Sequence, residues 1–223
     1  MNSLFQQLKE AAEEELSCSA HDMEHVMRVY NLALHLAEGE SVDVEVLKAA
    51  TLLHDIGRVK EDNDPSGQTD HALLGAEMSY PILERAGFSG EKIKHIRDCI
   101  RSHRYRTGHT PYTKEAQILF DADKLDALGA IGLARGFVWA GKNNARIYAD
   151  VNLEKYIQEN QGGRKNGRIK DKTKHAANIE FETKLKTLPE KLYTKRAREI
   201  GKERVRFYKS FLERLKKEIN GIL

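Results

Sequence analysis

The chain reads as an all-α protein, and three observations predict it. Leu, Ala, Glu and Lys are abundant and there are only four prolines, a composition that favours helix over strand. Apolar residues recur at helical spacing, as at Met23, Val26, Met27, Tyr30, Ala33, Leu34 and Ala37. Capping residues and glycines punctuate these segments, and no run reads as a convincing strand.

Taken in order, Asn2 or Ser3 caps a first helix reaching about Glu15, and Ser17-Cys18-Ser19 breaks it. A second helix runs from about Ala20 to Glu38 and ends at Gly39. Ser41 or Asp43 caps a third, Val44 to His54, which is apolar on most sides and therefore expected to be central. Residues 58–69 read as a polar loop. Asp70 starts a helix to about Ala86, with Pro81 a candidate kink and Gly87 the stop. Ser89 and Glu91 start another, ending near Tyr105. After a loop through Gly108 and Pro111, Thr113 caps a long apolar helix over about 114–139. A loop from Gly141 to Tyr148 and a short helix over about 150–160 follow. The Gly- and Lys/Arg-rich stretch from Gln161 to Arg168 is a candidate mobile lid. Two helices close the chain, about 173–187 and 192–219. The expectation is one domain over residues 1–223, with a core at about 20–140 and a basic helical appendage at about 150–223.

Composition narrows the function classes. Hydrophobic residues make up 40% and charged residues 32%, enough for a sizeable core under a soluble surface. No apolar stretch is long enough for a transmembrane helix, so no membrane partner is expected. Met1 to Glu15 reads as an amphipathic helix, not as a basic-then-apolar leader. The two cysteines, Cys18 and Cys99, form no disulfide framework and fit a reducing, cytoplasmic setting. The net charge of +3 is unevenly placed: residues 1–162 carry 18 Lys and Arg against 26 Asp and Glu, and residues 163–223 carry 19 against 8. An acidic body beside a basic C-terminal third suits a phosphorylated small molecule, while a merely solvated helix face explains the same charges. Nucleic acid is a less favoured partner, because the basic third lacks interleaved aromatics.

Chemistry concentrates at Leu52-Leu53-His54-Asp55-Ile56-Gly57, where an imidazole and a carboxylate follow an apolar run directly. At a helix end both can turn toward one point, and that pairing suits a divalent metal. An HD dipeptide alone is weak evidence, so the remaining motifs decide. His21 and His25 are four apart on one helix face. Asp121, Asp123 and Asp126 interrupt an otherwise apolar helix, and a carboxylate facing a core is costly unless paired or holding a metal. His71 opens a helix and His103 ends one. Phe137 and Trp139 stand on an apolar helix, as core packing or as a subunit interface.

The order His…His-Asp…Asp, with HxxRV at the first His and DADxLD at the last Asp, resembles the HD-domain superfamily of metal-dependent phosphohydrolases over about residues 20–140. Phe181-Glu182-Thr183-Lys184-Leu185, Ala197-Arg198 and Glu203 to Phe207 extend the likeness toward the small bacterial HD-domain hydrolases, and imply an HD-domain helical bundle with a basic C-terminal helical extension. The resemblance implies His25, His54, Asp55 and Asp123 as metal ligands, with Asp121 the fallback for the last. It places His71 and His103 as substrate or proton-transfer groups beside one ion, or as ligands of a second. Mn²⁺ is the favoured ion for mixed imidazole and carboxylate donors, with Mg²⁺, Fe²⁺, Co²⁺ and Ni²⁺ open. Arg28, Arg58, Lys60, Lys124 and His103 are candidates to neutralise phosphate oxygens, and Lys184 and Arg204 to hold distal phosphates. Arg28 is as readily explained by a pair with an acid on its own helix face. The implied activity is nucleotide (NTP or dNTP) pyrophosphohydrolysis, ahead of 5′-nucleotidase or other phosphomonoesterase, then phosphodiesterase, by a monomer or homodimer. A nucleotide-binding regulatory module with little turnover is the non-enzymatic alternative. The Gly-Tyr-Pro signature of the cyclic-dinucleotide phosphodiesterases is missing, and the length excludes a full alarmone synthetase-hydrolase.

Overall fold

The computed structural model describes residues 3–16, 23–104, 108–165 and 167–223, and among them it is all-α, with one isolated bridge between Arg146 and Ala176 and no strand. The helices are α1 (Ser3–Leu16), α2 (Met23–Ala37), α3 (Val44–Leu53), α4 (Arg58–Asp62), α5 (His71–Arg85), α6 (Gly90–Ser102), α7 (Lys114–Leu125), α8 (Gly129–Lys142), α9 (Leu153–Asn160), α10 (Ala177–Thr183) and α11 (Lys195–Ile219). The chain divides into two compact units, one ending at Asp123 and one beginning at Lys124.

In the first unit α3 is the buried centre, packed against α1, α2 and α6. Val46, Leu47, Ala49, Ala50, Leu52 and Leu53 are all buried, with only Glu45 and Lys48 giving the helix a narrow polar edge. Asp43 caps it, its carboxylate accepting from the amides of Glu45 and Val46. Since α3 is central, the residues at its C-terminal end, His54 and Asp55, are buried too. Asp70 caps α5 in the same way through Ala72 and Leu73, and Ser89 caps α6. α5 packs along α6, and α4 packs on α5.

In the second unit α8 packs against α11 and α10, with Phe181 stacked on Tyr208 at 5.3 Å between ring centres. Ala149, Leu153, Tyr156, Ala176 and Ile179 form a separate apolar cluster around α9. Phe137 and Trp139 are half-buried and make ring contacts inside this unit, Phe137 with Phe211 and Trp139 with His175.

The structure corrects three sequence expectations about elements. Residues 58–69 are not all loop, since Arg58–Asp62 form a short helix. Its Arg58–Glu61 pair and the tertiary partners of both residues stabilise a turn that propensity alone would not form. The helix expected over 114–139 is two helices, split at Asp126–Leu128, because Gly129 takes φ +71 and the aliphatic part of Arg204 lies 3.0–3.3 Å from where a Cβ would stand. The helix expected over 173–187 is a 3-10 turn (Lys172–Lys174), then α10, then a 3-10 segment (Leu185–Lys191). His175 and Ala176 are extended between the first two pieces, where the His175 side chain is held by Tyr156 and Glu180. Ser17 to Ser19, His21 and Tyr105 lie outside the described residues. The expected lid is a series of turns anchored at Gly163 to the Ile157 carbonyl and at Lys170 to that of Asn160, with Asn166 outside the described residues.

Candidate metal centre

The C-terminal end of α3 delivers the first two groups of the site. The His54 ring donates from Nδ1 to the Thr51 carbonyl at 2.7 Å, since a carbonyl can only accept. That leaves the Nε2 lone pair facing inward, and this atom is buried with no hydrogen-bond partner. An orphaned buried lone pair is costly unless a cation or donor meets it. Burial holds the His54 pKa down to about 4, so the ring is neutral and able to ligate.

Asp55 stands in the middle. Its Oδ2 is 3.8 Å from His54 Nε2 and 3.6 Å from His25 Nε2, and Asp123 Oδ1 is 3.4 Å from the same His25 nitrogen. α2 and α7 therefore bring the first and last motifs to the HD pair. The other oxygen, Oδ1, lies 3.4 Å from His71 Nε2 and 3.6 Å from His103 Nε2. Two donor sets thus share one carboxylate: His25, His54 and Asp55 on one side, Asp55, His71 and His103 on the other. Burial alone would raise the Asp55 pKa, but the Arg58 guanidinium beside it holds it well below the usual carboxylate range. Asp55 is therefore an anion ringed by imidazole nitrogens, a donor set that fits a divalent ion.

The rings on the Oδ1 side are aligned by the same device. His103 Nδ1 donates to the Ile100 carbonyl at 2.6 Å and His71 Nδ1 to Glu61 Oε2 at 2.8 Å. Their Nε2 atoms then face each other at 3.1 Å as two acceptors. Arg58 reaches in from α4: it donates to Glu61 at 2.7 Å, to His71 Nε2 at 2.9 Å and to Asp55 at 3.4 Å. Gly57 permits this approach, because a Cβ there would stand 2.5 Å from the His71 carbonyl oxygen.

The remaining candidates are placed as follows. Asp123 is the acid of the DADxLD motif found beside His25, and Asp121 is fully buried. Arg28 pairs with Glu24 one helical turn away at 3.8 Å, the local role its position allows. Lys60 is engaged at Glu15 and Met78 instead of at the cluster, because it points to the outer side of α4. Lys124, Lys184 and Arg204 belong to the second unit, where Lys184 pairs with Glu180 at 2.7 Å and Arg204 donates to the Leu125 carbonyl at 2.7 Å. Sequence reasoning missed Glu61, Arg104 and Asp70. Arg104 donates to both acids, at 2.5 and 2.8 Å. The signals were present in the Arg58–Glu61 spacing and in an Asp directly before His71, but neither points to a site without the fold.

Comparison with known proteins finds relatives over most of the chain. A family model described as HD domain matches residues 22–128. Protein YpgQ of Bacillus subtilis (strain 168) is 30% identical over 208 residues, covering 92% of this chain and 87% of that one. The crystal structure of Bacillus subtilis YpgQ in complex with ADP aligns at a TM-score of 0.72 and 27% identity, over 99% of this chain and 97% of that one. An HD-superfamily hydrolase from Bacillus thuringiensis aligns at 0.69 with 26% identity, over 97% of this chain and 96% of that one. The 3′-5′ exoribonuclease YhaM of Geobacillus sp. (strain WCH70) is 32% identical over 147 residues, which are 59% of this chain and 45% of that relative's length.

Proposed function

We infer the function of this chain from its family: it belongs to the HD-domain superfamily of hydrolases, and we propose that it is a divalent-metal-dependent phosphohydrolase acting as a nucleotide pyrophosphohydrolase. One observation carries the metal dependence, the buried convergence of imidazole nitrogens on the Asp55 carboxylate with an orphaned nitrogen at His54. His25, His54, Asp55 and Asp123 would hold the ion, with Mn²⁺ favoured. When bound, it supplies Lewis acidity to phosphate oxygens and lowers the pKa of a water in its shell.

The chain's own groups supply the rest. The Arg58 guanidinium, fixed beside Asp55, neutralises charge that builds on phosphate oxygens as water adds to phosphorus. As the new P–O bond forms at the α-phosphorus and the bond to the leaving pyrophosphate breaks, the water proton needs an acceptor. His103 Nε2 is placed to accept it, since that ring's Nδ1 donates to the Ile100 carbonyl, and burial lowers the pKa of the neighbouring His71 ring to about 4. The ADP held by YpgQ supports a nucleotide substrate, and the exoribonuclease YhaM supports phosphoester hydrolysis on this fold. A second reading, two ions sharing Asp55, is favoured by the facing lone pairs of His71 and His103. Metal stoichiometry of one or two per chain separates the two.

The test is release of phosphate or pyrophosphate from nucleoside mono-, di- and triphosphates, with Mn²⁺ or chelator. Pyrophosphate from triphosphates, abolished by chelator and by Asp55→Ala, is the expected result. Orthophosphate from monophosphates would replace it with a nucleotidase. No release from any nucleotide, with metal bound, would leave a binding module.

A further inference from the structure

We propose that Glu61 is a positioning residue that fixes the tautomer of His71 and the seat of Arg58. The consequence for turnover rests on the hydrolase reading above, but the tautomer does not. Glu61 lies on α4 and reaches three donors: His71 Nδ1 and Arg58 through Oε2, and Arg104 through Oε1. A carboxylate only accepts, so the His71 proton resides on Nδ1. Arg58 donates to His71 Nε2 at 2.9 Å, which requires a lone pair on that nitrogen. The two contacts specify one tautomer independently.

This arrangement opposes what the two rings would do alone. His71 Nε2 and His103 Nε2 are 3.1 Å apart, and His103 already donates its Nδ1 proton to the Ile100 carbonyl. Moving the His71 proton to Nε2 would turn two facing lone pairs into a hydrogen bond across the site. It would also give Asp55 Oδ1 a donor at 3.4 Å. The proton would then stand between the two nitrogens and displace the hydrogen bond that Arg58 now donates to His71 Nε2. Glu61 keeps it on the far side of the ring. Arg104 in turn holds Glu61, and it ties Glu61 to Asp70, the residue that caps α5 immediately before His71. The strap therefore fixes both the ring and the helix end that carries it.

Glutamine cannot replace this carboxylate. Its single carbonyl oxygen serves either the His71 side or the Arg104 side, and an amide NH₂ turned to His71 Nδ1 would draw the ring into the other tautomer. The experiment is nitrogen-15 NMR of the histidine side chains in the full chain with diamagnetic Mg²⁺, with the His71 signal assigned by its loss in His71→Gln. Wild type is expected to carry the His71 proton on Nδ1. Glu61→Gln is expected to move it to Nε2 and to lower kcat by about 10–100-fold with little change in KM, the scale of lost outer-shell support. Glu61→Asp is expected to restore the Nδ1 proton. A wild-type proton on Nε2, or an unchanged tautomer in folded Glu61→Gln, would overturn the proposal. If Glu61→Gln does not fold, the wild-type spectrum and Glu61→Asp decide it. A normal tautomer response in a protein that hydrolyses no nucleotide would retain the positioning role and remove the hydrolase reading.

Discussion

At His54 two features that are separate in the sequence become one device. The Thr51 carbonyl takes the Nδ1 proton, and the other nitrogen is left buried with nothing to meet it. That pattern costs stability in a purely structural histidine and is what a ligand needs. His54→Ala should therefore remove both stoichiometric Mn²⁺ binding and turnover while helical content is retained. Elemental analysis, steady-state rates and circular dichroism together check this, and full turnover in the variant would place the site elsewhere. The sequence alone read Arg58 and Lys60 alike, as basic residues after the HD pair. The fold separates them, because α4 turns Arg58 onto Asp55 and Lys60 onto Glu15 and Met78.

Among the elements, α4 carries the least apolar burial and the most consequence. It is five residues long with no buried side chain, so its own helix formation is unfavourable. Polar partners hold it, and Gly57 lets it approach α5. Gly57→Ala would place a methyl group against backbone atoms, the His71 oxygen at 2.5 Å and the Gly75 nitrogen at 2.9 Å. Neither can move without shifting α5. The expected cost is about 1–3 kcal/mol, typical of forced overpacking. Urea denaturation measures it, and loss of kcat should accompany it as Arg58 and Glu61 leave His71. Wild-type stability and rate in this variant would show that the close approach is not required.

Over the whole molecule, each unit has its own polar anchor. In the second it is the chain Lys184–Glu180–His175–Tyr156–Asn160, linked at 2.7, 3.1, 2.7 and 2.8 Å. Burial would raise the Glu180 pKa, but Lys184 and the His175 hydrogen bond lower it from 4.5 to about 2. A depressed carboxylate contributes stability that is fully present above pH 4.5 and is lost as pH falls toward 2. The side chain is 27% exposed, so solvent holds the loss to the order of 1–3 kcal/mol. Trp139, the only tryptophan, lies against His175 and reports this unit. Denaturation followed by its fluorescence should become easier between pH 5 and about 3, and Glu180→Gln should flatten that dependence. An unchanged slope in the variant would assign the acid sensitivity to other groups.

The sequence by itself determined the helical class, because apolar periodicity and capping are local properties. The resemblance of its motifs to the HD-domain superfamily also singled out His25, His54, Asp55 and Asp123, which local chemistry alone would not have done. The sequence did not determine where long helical patterns break. Gly129 and His175 interrupt them through a positive φ beside Arg204 and a ring bound to Tyr156 and Glu180. The resemblance favoured Asp123 with Asp121 as the fallback, and in the fold α7 sets Asp123 Oδ1 3.4 Å from His25 Nε2. Glu61, Arg104 and Asp70 became visible only when α4, α5 and the end of α6 met at His71. Local pattern specifies which atoms a residue offers, but a hydrogen bond across 43 residues of chain, as between Glu61 and Arg104, exists only where tertiary packing brings the two ends together.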